Sequence, residues 1–184
     1  MKPYEKYLQE ILIDETTLQN RVKQLGEQIS SDYAERGDLL LICILKGGIM
    51  FLVDLTRHIS TPHEIDFLAV SSYGRGARSS TGSVRIDMDL SRQVEGRHLL
   101  IVEDIIDSGQ TLRFVMDVLE ARRPASLRLC TLLNKPSRRT VQIPIDYLGF
   151  DIEDKFVFGY GLDLDEKFRN LPFIAVVKPE MIYE

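Results

Sequence analysis

The chain has 184 residues, which fits a single domain and is long enough to bury a substantial core. Its 23 lysines and arginines against 28 aspartates and glutamates give a formal charge of −5, which argues against binding nucleic acid through a basic surface. No run approaches the roughly 18 apolar residues of a membrane span. The first ten residues lack the apolar core of a signal peptide. We therefore expect a cytoplasmic protein with no membrane attachment.

The cysteines and histidines do not form a metal-binding pattern. Cys43 and Cys130 both lie inside apolar runs, which predicts buried free thiols rather than a disulfide or a metal pair. His58, His63 and His98 lie outside the motifs described below, and we interpret them as structural or surface residues.

In the first half of the chain, apolar residues at helical spacing predict an amphipathic helix over residues 15–33. The run LLLICIL predicts a buried strand at 39–45, and the apolar segment 49–59 predicts a helix packed on both sides. Residues 65–70 form a second predicted strand. It opens into a segment rich in Gly, Ser and Arg, residues 71–83, which predicts a loop.

In the second half, residues 99–102 predict a third strand, followed by a helix whose apolar face carries Leu112, Val115, Met116 and Leu119. Three more strands are predicted at 127–133, 147–150 and 173–177. Strands that alternate with helices imply an α/β fold with a mostly parallel sheet covered on both faces. In such sheets ligands bind outside the carboxyl ends of the strands.

Polar residues follow the predicted strands at the carboxyl ends. They are Lys46-Gly47, Ser72-Tyr73, Glu103-Asp104 and Asn134-Lys135. The densest group is the run IVEDIIDSGQTL at 101–112, in which a buried strand leads into three carboxylates and then into a small-residue turn that begins a helix.

The turn has the composition of a phosphate site. Ser108, Gly109 and Thr111 at a helix start offer backbone N–H groups, hydroxyls and the positive end of the helix dipole. Neither GxxxxGK[ST] nor GxGxxG occurs here, so neither a triphosphate P-loop nor a dinucleotide fingerprint is present. On these residues alone, an ordinary capped helix preceded by solvated acids stays open as the alternative.

The segment EDIIDSG at 103–109 resembles the phosphoribosyl pyrophosphate loop of the phosphoribosyltransferases, in the form found in hypoxanthine-guanine members. Six further segments match that family in order and spacing: LKGG at 45–48, SSYG at 71–74, LNKP at 133–136, DKFV at 154–157, GYGLD at 159–163 and FRNLP at 168–172. The resemblance covers the chain from about residue 39 to its end.

The resemblance implies a type I phosphoribosyltransferase fold and a Mg²⁺-dependent enzyme that joins hypoxanthine or guanine to phosphoribosyl pyrophosphate. We expect one domain over 1–184, with a core at about 15–145. A small hood would be formed by about 146–184 together with the N-terminus, and a mobile lid loop would cover the site.

By the same resemblance, the 5′-phosphate is bound at the turn and helix start, by Ser108, Gly109, Gln110 and Thr111. Glu103 and Asp104 would hold the ribose hydroxyls and Mg²⁺. Asp107 would lie beside N7 of the purine and act as the proton-transfer residue, a role that suits attack by N9 on an oxocarbenium-like centre. Gln110 stands where some relatives carry Lys, so the phosphate site has one cation fewer.

The resemblance assigns the pyrophosphate to Lys46, Gly47 and Arg169, and it predicts a cis peptide between Lys46 and Gly47. An arginine suits phosphate oxygens because its donors form a fork. Asp163 matches a ligand of a second Mg²⁺ at the edge of the purine site, and hard oxygen ligands beside a diphosphate are what Mg²⁺ prefers.

The purine base is assigned to Lys135, which would donate to O6, to Phe156, which would stack on the ring, and to the backbone of Val157. Ser72 and Tyr73 would lie at the hinge side of the lid, whose closure would exclude water from the activated ribose.

Three alternatives remain open on the sequence. A regulator on the same fold could bind RNA, although this chain is acidic and keeps Asp107 and Lys135. A relative could prefer xanthine, and a purely structural α/β domain is a third reading. The sequence ranks neither hypoxanthine against guanine nor one subunit number above another, and the family suggests a homodimer or homotetramer.

Overall fold

The computed structural model describes residues 2–72 and 84–182. Its helices are α1 (Glu15–Tyr33), α2 (Ile49–Thr56) and α3 (Gln110–Glu120). Its strands, in chain order, are β1 (Leu8–Ile13), β2 (Leu39–Leu45), β3 (His63–Ser72), β4 (Val84–Met88), β5 (His98–Ile106), β6 (Ser126–Asn134), β7 (Tyr147–Asp151), β8 (Val157–Phe158) and β9 (Ile174–Val177). Short 3-10 turns cover Pro136–Arg138 and Pro179–Met181.

The central sheet has six strands in the order β4-β3-β2-β5-β6-β7. All neighbours in it run parallel except β3 and β4, which pair antiparallel at one edge. The predicted α/β class with a mostly parallel sheet is therefore confirmed. Because β2, β5 and β6 are adjacent and parallel, their carboxyl ends meet at one edge of the sheet.

The uniformly apolar sequence of β2 follows from burial on both faces of the sheet. Leu39, Leu41 and Cys43 point into a core shared with α1 and α2, whereas Leu40 and Ile42 point into a second core shared with α3. Alternate side chains of a strand point to opposite faces, so a strand covered on both faces has no polar positions.

A second sheet of three antiparallel strands, in the order β1-β9-β8, is built from the N-terminal strand and the last part of the chain. Its outer side is packed with aromatic rings. Tyr7 and Phe168 have ring centroids 5.6 Å apart, and Phe158 and Phe168 have theirs 6.0 Å apart. These contacts hold the segment after β8 close to the N-terminus.

Helix α1 begins as predicted, with the Asp14 carboxylate accepting from Thr17 N at 2.8 Å. The predicted extension of α2 to residue 59 is wrong. The helix ends at Thr56, and the amides of His58 and Ile59 instead donate three residues back, to the carbonyls of Leu55 and Thr56.

Cys43 and Cys130 are free and buried, as predicted. Burial raises the pKa of the Cys43 thiol to about 12 and that of the Cys130 thiol further. Both thiols are therefore unreactive near neutral pH. No helix within 2–72 and 84–182 is both long and apolar enough to cross a membrane.

Candidate active site

The turn that follows β2 contacts the acidic end of β5. A Cβ atom on Gly47 would lie 1.6 Å from Asp104 Oδ2, so this position requires glycine. From the other side, a Cβ on Gly161, whose φ is +99°, would lie 2.0 Å from the Gly47 carbonyl oxygen. The turn after β2 is thus held between the end of β5 and the loop after β8.

The cis peptide in this turn is between Leu45 and Lys46. The predicted cis bond between Lys46 and Gly47 is therefore wrong by one residue. The resemblance identified the tetrapeptide at 45–48 correctly but assigned the cis bond to the wrong pair of residues within it.

Glu103 and Asp104 form an acidic pair in which Asp104 is buried and Glu103 is half-buried. Asp104 is 8% exposed and its Oδ1 accepts from Ile105 N at 2.6 Å, whereas Glu103 Oε2 is buried without a hydrogen-bond partner among the described residues. Burial raises the pKa of both carboxyls, and the neighbouring Asp104 charge raises that of Glu103 further. Without a cation, this pair resists carrying two negative charges.

The pair fits a role beside Mg²⁺, a cofactor that phosphoribosyltransferases generally use. Within the described residues no group of three or more His, Cys, Asp or Glu side chains forms a complete metal site. Mg²⁺ commonly takes one or two carboxylates and completes its shell with substrate phosphate oxygens and water. The unpartnered Glu103 oxygen matches that pattern. Asp163 does not offer a free oxygen, because Oδ1 binds Arg169 at 2.8 Å and Oδ2 accepts from Glu166 N at 2.8 Å.

The turn before α3 opens on a cavity of about 260 Å³, lined by side chains and backbone of Asp104, Asp107, Ser108, Gly109 and Thr111, among others. Gly109 caps the helix with φ +85°. The positive φ selects glycine here, and a Cβ atom would in addition require the tip of Ile143, at 2.8 Å, to shift. The first amides of a helix have no intrahelical partners, and that arrangement can bind a phosphate. Here the Gln110 amide makes a contact of 3.4 Å with Ser108 Oγ.

Gln110 is the first residue of α3, and its Nε2 lies 3.4 Å from Thr140 Oγ1. Thr140 in turn donates its amide to Ser108 O at 3.0 Å. The segment after β6 therefore packs against the turn before α3 through Thr140, which contacts both Ser108 and Gln110.

Asp107 and Lys135 are joined by a chain of charged side chains. Arg138 Nε donates to Asp107 Oδ1 at 3.0 Å and lies 3.8 Å from Asp154 Oδ2. Lys135 Nζ lies 3.4 Å from Asp154 Oδ1, and the lysine is only 8% exposed. The hydrogen bond to Asp107 raises the pKa of the Arg138 guanidinium.

Phe156 and Val157 follow Asp154 in the chain. The Phe156 side chain is 47% exposed, so it is not the core residue that an aromatic in this pattern ordinarily is. Its carbonyl accepts from Val177 N at 2.9 Å, which ties it to β9. Val157 is buried at 8% exposure. An exposed ring on a fixed backbone offers a surface on which a planar base can stack.

Lys46 and Arg169 are brought together by a third residue. Glu166 Oε2 lies 2.9 Å from Lys46 Nζ and 3.2 Å from Arg169 Nη2. Arg169 also donates to the Gly161 carbonyl at 2.8 Å, which fixes its guanidinium against the loop after β8. The hydrogen bonds that Glu166 accepts from Lys46 and from Arg169 lower the pKa of the Glu166 carboxyl.

Three charged residues at this edge were not predicted to have a role: Arg138, Asp154 and Glu166. Asp154 lies inside the matched segment DKFV, which was the available signal for it. Arg138 and Glu166 had no signal, because a charged residue in a polar loop usually faces solvent. Of the two predicted lid residues, Ser72 ends β3, and Tyr73 lies outside the described residues, as does the predicted lid segment to residue 83.

Comparison with known proteins places the chain in a family. Residues 11–167 match the phosphoribosyl transferase domain. Hypoxanthine phosphoribosyltransferase of Salmonella typhimurium is 46% identical over 173 residues, which cover 94% of this chain and 97% of the relative. Hypoxanthine-guanine phosphoribosyltransferase of Streptococcus thermophilus is 43% identical over 177 residues, covering 96% of this chain and 97% of the relative.

The fold agrees with a solved member of the same family. The crystal structure of a hypoxanthine phosphoribosyltransferase from Staphylococcus aureus superposes with a TM-score of 0.94 at 43% identity, covering all of this chain and 98% of the other. The chain therefore belongs to the phosphoribosyltransferase family, as its motifs predicted. It is an enzyme of the glycosyltransferase class, similar over nearly its whole length to hypoxanthine and hypoxanthine-guanine phosphoribosyltransferases.

Proposed function

We propose that the enzyme acts in purine salvage by transferring the phosphoribosyl group of phosphoribosyl pyrophosphate to N9 of hypoxanthine or guanine. The products are IMP or GMP and pyrophosphate. The observation that carries this proposal is the buried Lys135, whose ammonium contacts Asp154 two residues before the exposed ring of Phe156. Lys135 follows β6, and the turn before α3 follows the neighbouring strand β5 at the same edge of the sheet. Lys135 and Phe156 would bind a planar oxo base, and the turn before α3 would bind a sugar phosphate.

The phosphoribosyl group would bind with its 5′-phosphate on Ser108, Gly109, Gln110 and Thr111. Glu103 and Asp104 would then face the ribose hydroxyls. Mg²⁺ would be held between Glu103, Asp104 and the substrate oxygens, with Asp163 available after it leaves Arg169. The metal would supply positive charge that neutralises the diphosphate as a leaving group. Lys46, the Gly47 amide and Arg169 would bind that diphosphate from the side of the β2 turn.

In the reaction the bond from C1′ to the diphosphate oxygen breaks and the bond from N9 to C1′ forms. The purine then carries an extra proton on N7, and the Asp107 carboxylate would accept that proton from N7. Arg138 would keep the Asp107 carboxylate oriented, because its Nε already donates to Oδ1. Ser72 and Tyr73 would form the hinge side of a lid that excludes water from the cationic sugar.

Lys135 would select the base. An ammonium has three donors and no acceptor, so it bonds a 6-oxo group but meets another donor in the 6-amino group of adenine. Asp154 contacts the Lys135 ammonium at 3.4 Å and precedes Phe156 by two residues. A base stacked on Phe156 would present its O6 edge to this ammonium. Backbone groups near Val157 would contact the opposite edge of the base.

The direct test incubates the purified chain with phosphoribosyl pyrophosphate, Mg²⁺ and hypoxanthine and measures IMP and pyrophosphate. We expect the two products in equal amounts, full loss of turnover in excess chelator, and recovery on adding Mg²⁺. Full turnover in excess chelator would contradict the metal requirement, and pyrophosphate release without nucleotide would contradict the transfer.

The cellular setting is also proposed: a cytoplasmic enzyme that assembles as a homodimer or homotetramer and binds small-molecule substrates rather than nucleic acid or membrane. This assembly is the one that the resemblance to the family implies. Sedimentation of the purified enzyme at micromolar concentration tests it, and a monomer would contradict it.

A further inference from the structure

Glu166 occupies a distinctive position between the two cations assigned to the diphosphate. A single carboxylate oxygen, Oε2, contacts both Lys46 Nζ at 2.9 Å and Arg169 Nη2 at 3.2 Å. Lys46 lies in the turn after β2, whereas Arg169 lies in the loop before β9, so Glu166 links two separate segments of the chain. An oxygen shared between these two cations is the contact that a diphosphate oxygen would make.

The backbone holds Glu166 in this position. Asp165, Glu166 and Phe168 have φ angles of 52°, 61° and 67°, a region that side chains other than glycine rarely adopt. Leu164 and Lys167 exchange two backbone hydrogen bonds of 3.1 Å and close the turn. The Glu166 amide also donates to Asp163 Oδ2 at 2.8 Å. The tight turn therefore fixes the backbone of Glu166 so that its side-chain carboxylate reaches both Lys46 and Arg169.

The contact is nevertheless easily replaced. The Glu166 side chain is 65% exposed and that of Lys46 is 67% exposed, and ion pairs between exposed groups contribute little net stability. A diphosphate carries more charge and more acceptor oxygens than one carboxylate. It can therefore displace Glu166 from both cations without disturbing the fold.

The charges of four neighbouring side chains explain the effect of displacing Glu166. With Lys46 and Arg169 positive and Asp163 and Glu166 negative, the four side chains have no net charge. When Glu166 turns to solvent, the remaining three carry one positive charge toward the ligand. The return of Glu166 would compete with the diphosphate for the same donors.

From this geometry we propose that Glu166 is a positioning residue that holds Lys46 and Arg169 in the free enzyme as a displaceable stand-in for the diphosphate. The inference rests on the proposed function. It implies that Glu166 weakens pyrophosphate binding and so assists release of that product, at the cost of affinity for phosphoribosyl pyrophosphate.

The test measures inorganic pyrophosphate binding to the full-length enzyme with Mg²⁺ by calorimetry, comparing wild type with Glu166→Gln. Removing one competing charge should tighten pyrophosphate binding by about 3- to 10-fold. The KM for phosphoribosyl pyrophosphate should fall in proportion, and the KM for hypoxanthine should stay within about twofold. A merely structural glutamate would not produce a gain in affinity confined to one substrate.

Asp165→Asn is the matched control. It removes the same charge one residue away, and Asp165 contacts Lys167 at 3.0 Å and neither diphosphate cation among the contacts of the described residues. Its pyrophosphate affinity should stay within about twofold of wild type. An equal gain in both variants would mark a general charge effect and overturn the proposal. Weaker binding in Glu166→Gln would also overturn it, because that result would make Glu166 a ligand of the metal.

The failure of this inference is distinguishable from the failure of the proposed function. If wild type transfers phosphoribosyl groups and binds pyrophosphate, but Glu166→Gln binds it no more tightly, only the role of Glu166 is wrong. If wild type neither turns over nor binds pyrophosphate, both are wrong. Circular dichroism of each variant before titration checks that the fold is intact.

Discussion

Arg138 Nε donates to Asp107 Oδ1 at 3.0 Å, and the same nitrogen lies 3.8 Å from Asp154, the partner of Lys135. The proposed proton-transfer residue and the proposed base-selecting residue are therefore connected through one arginine. Without Arg138, both Asp107 and Asp154, the partner of Lys135, would lose a charged contact that helps to hold their side chains in place.

Arg138→Gln should lower kcat for hypoxanthine by about 3- to 10-fold, because Asp107 loses the donor that orients it while the exposed contact itself is weak. Steady-state kinetics at saturating phosphoribosyl pyrophosphate gives this value. Arg113→Gln is the control, since Arg113 is also an exposed arginine paired with an aspartate, Asp117, but does not line the cavity before α3. A loss of the same size in both variants would contradict a specific role for Arg138.

Asp107→Asn tests the proton transfer itself. The amide has nearly the same shape but cannot accept the purine proton, so kcat should fall by about 10²-fold or less. Binding of phosphoribosyl pyrophosphate, measured by calorimetry, should change little. Equal losses in binding and in turnover would instead mark Asp107 as a phosphate ligand or a structural residue.

The acidic pair of Glu103 and Asp104 predicts a conflict between function and stability, because the Glu103 Oε2 atom is enclosed without a partner among the described residues. The pKa of Glu103 in the folded enzyme is raised well above its usual value of 4.5, chiefly by burial. The folded state therefore binds a proton more tightly than the unfolded state, and stability falls as pH rises from that value through the raised pKa. Glu103→Gln removes the buried charge and this part of the pH dependence.

In a metal-free buffer at pH 8, Glu103→Gln should unfold at a higher temperature than wild type, by roughly 2–4 °C for each kcal/mol of relieved penalty. Its turnover should fall sharply. Glu27→Gln, at an exposed position of α1, should change neither quantity. A Glu103→Gln variant that is less stable than wild type at pH 8 would show that the charge is not penalised.

Lys135→Ala tests base selection. It should raise the KM for hypoxanthine and guanine far more than that for phosphoribosyl pyrophosphate, because the buried ammonium no longer meets the 6-oxo group. Lys155→Ala is the control, since Lys155 is a nearby lysine paired with Glu10 at the surface. Wild-type discrimination between oxopurines and adenine in Lys135→Ala would remove Lys135 from this role.

The central sheet was predictable because burial on both faces leaves an unbroken apolar signal, as in the seven residues of β2. Three strands were not predicted: β1, β4 and β8. Most of β1 is exposed or half-buried, and β8 has two residues, so neither carries enough apolar periodicity. Strand β4 pairs at the edge of the sheet and alternates only weakly.

At the site, motifs identified the residues that a ligand would contact but not the contacts among those residues. The pairing of Arg169 with Asp163, and the bridge that Glu166 makes to Lys46, join positions up to 120 residues apart. Such contacts depend on how the loop after β8 packs against the β2 turn. That packing is set by close approaches such as Gly161 to Gly47, which a one-dimensional pattern does not contain.

The most direct test of the central claim is the ratio of kcat/KM for hypoxanthine to kcat/KM for adenine, measured with the wild-type enzyme, saturating phosphoribosyl pyrophosphate and Mg²⁺, with guanine and xanthine assayed alongside. Because adenine would leave the buried Lys135 ammonium facing another donor, we predict a ratio on the order of 10⁴. Guanine should fall close to hypoxanthine. A ratio below about ten, or xanthine as the best substrate, would contradict the account.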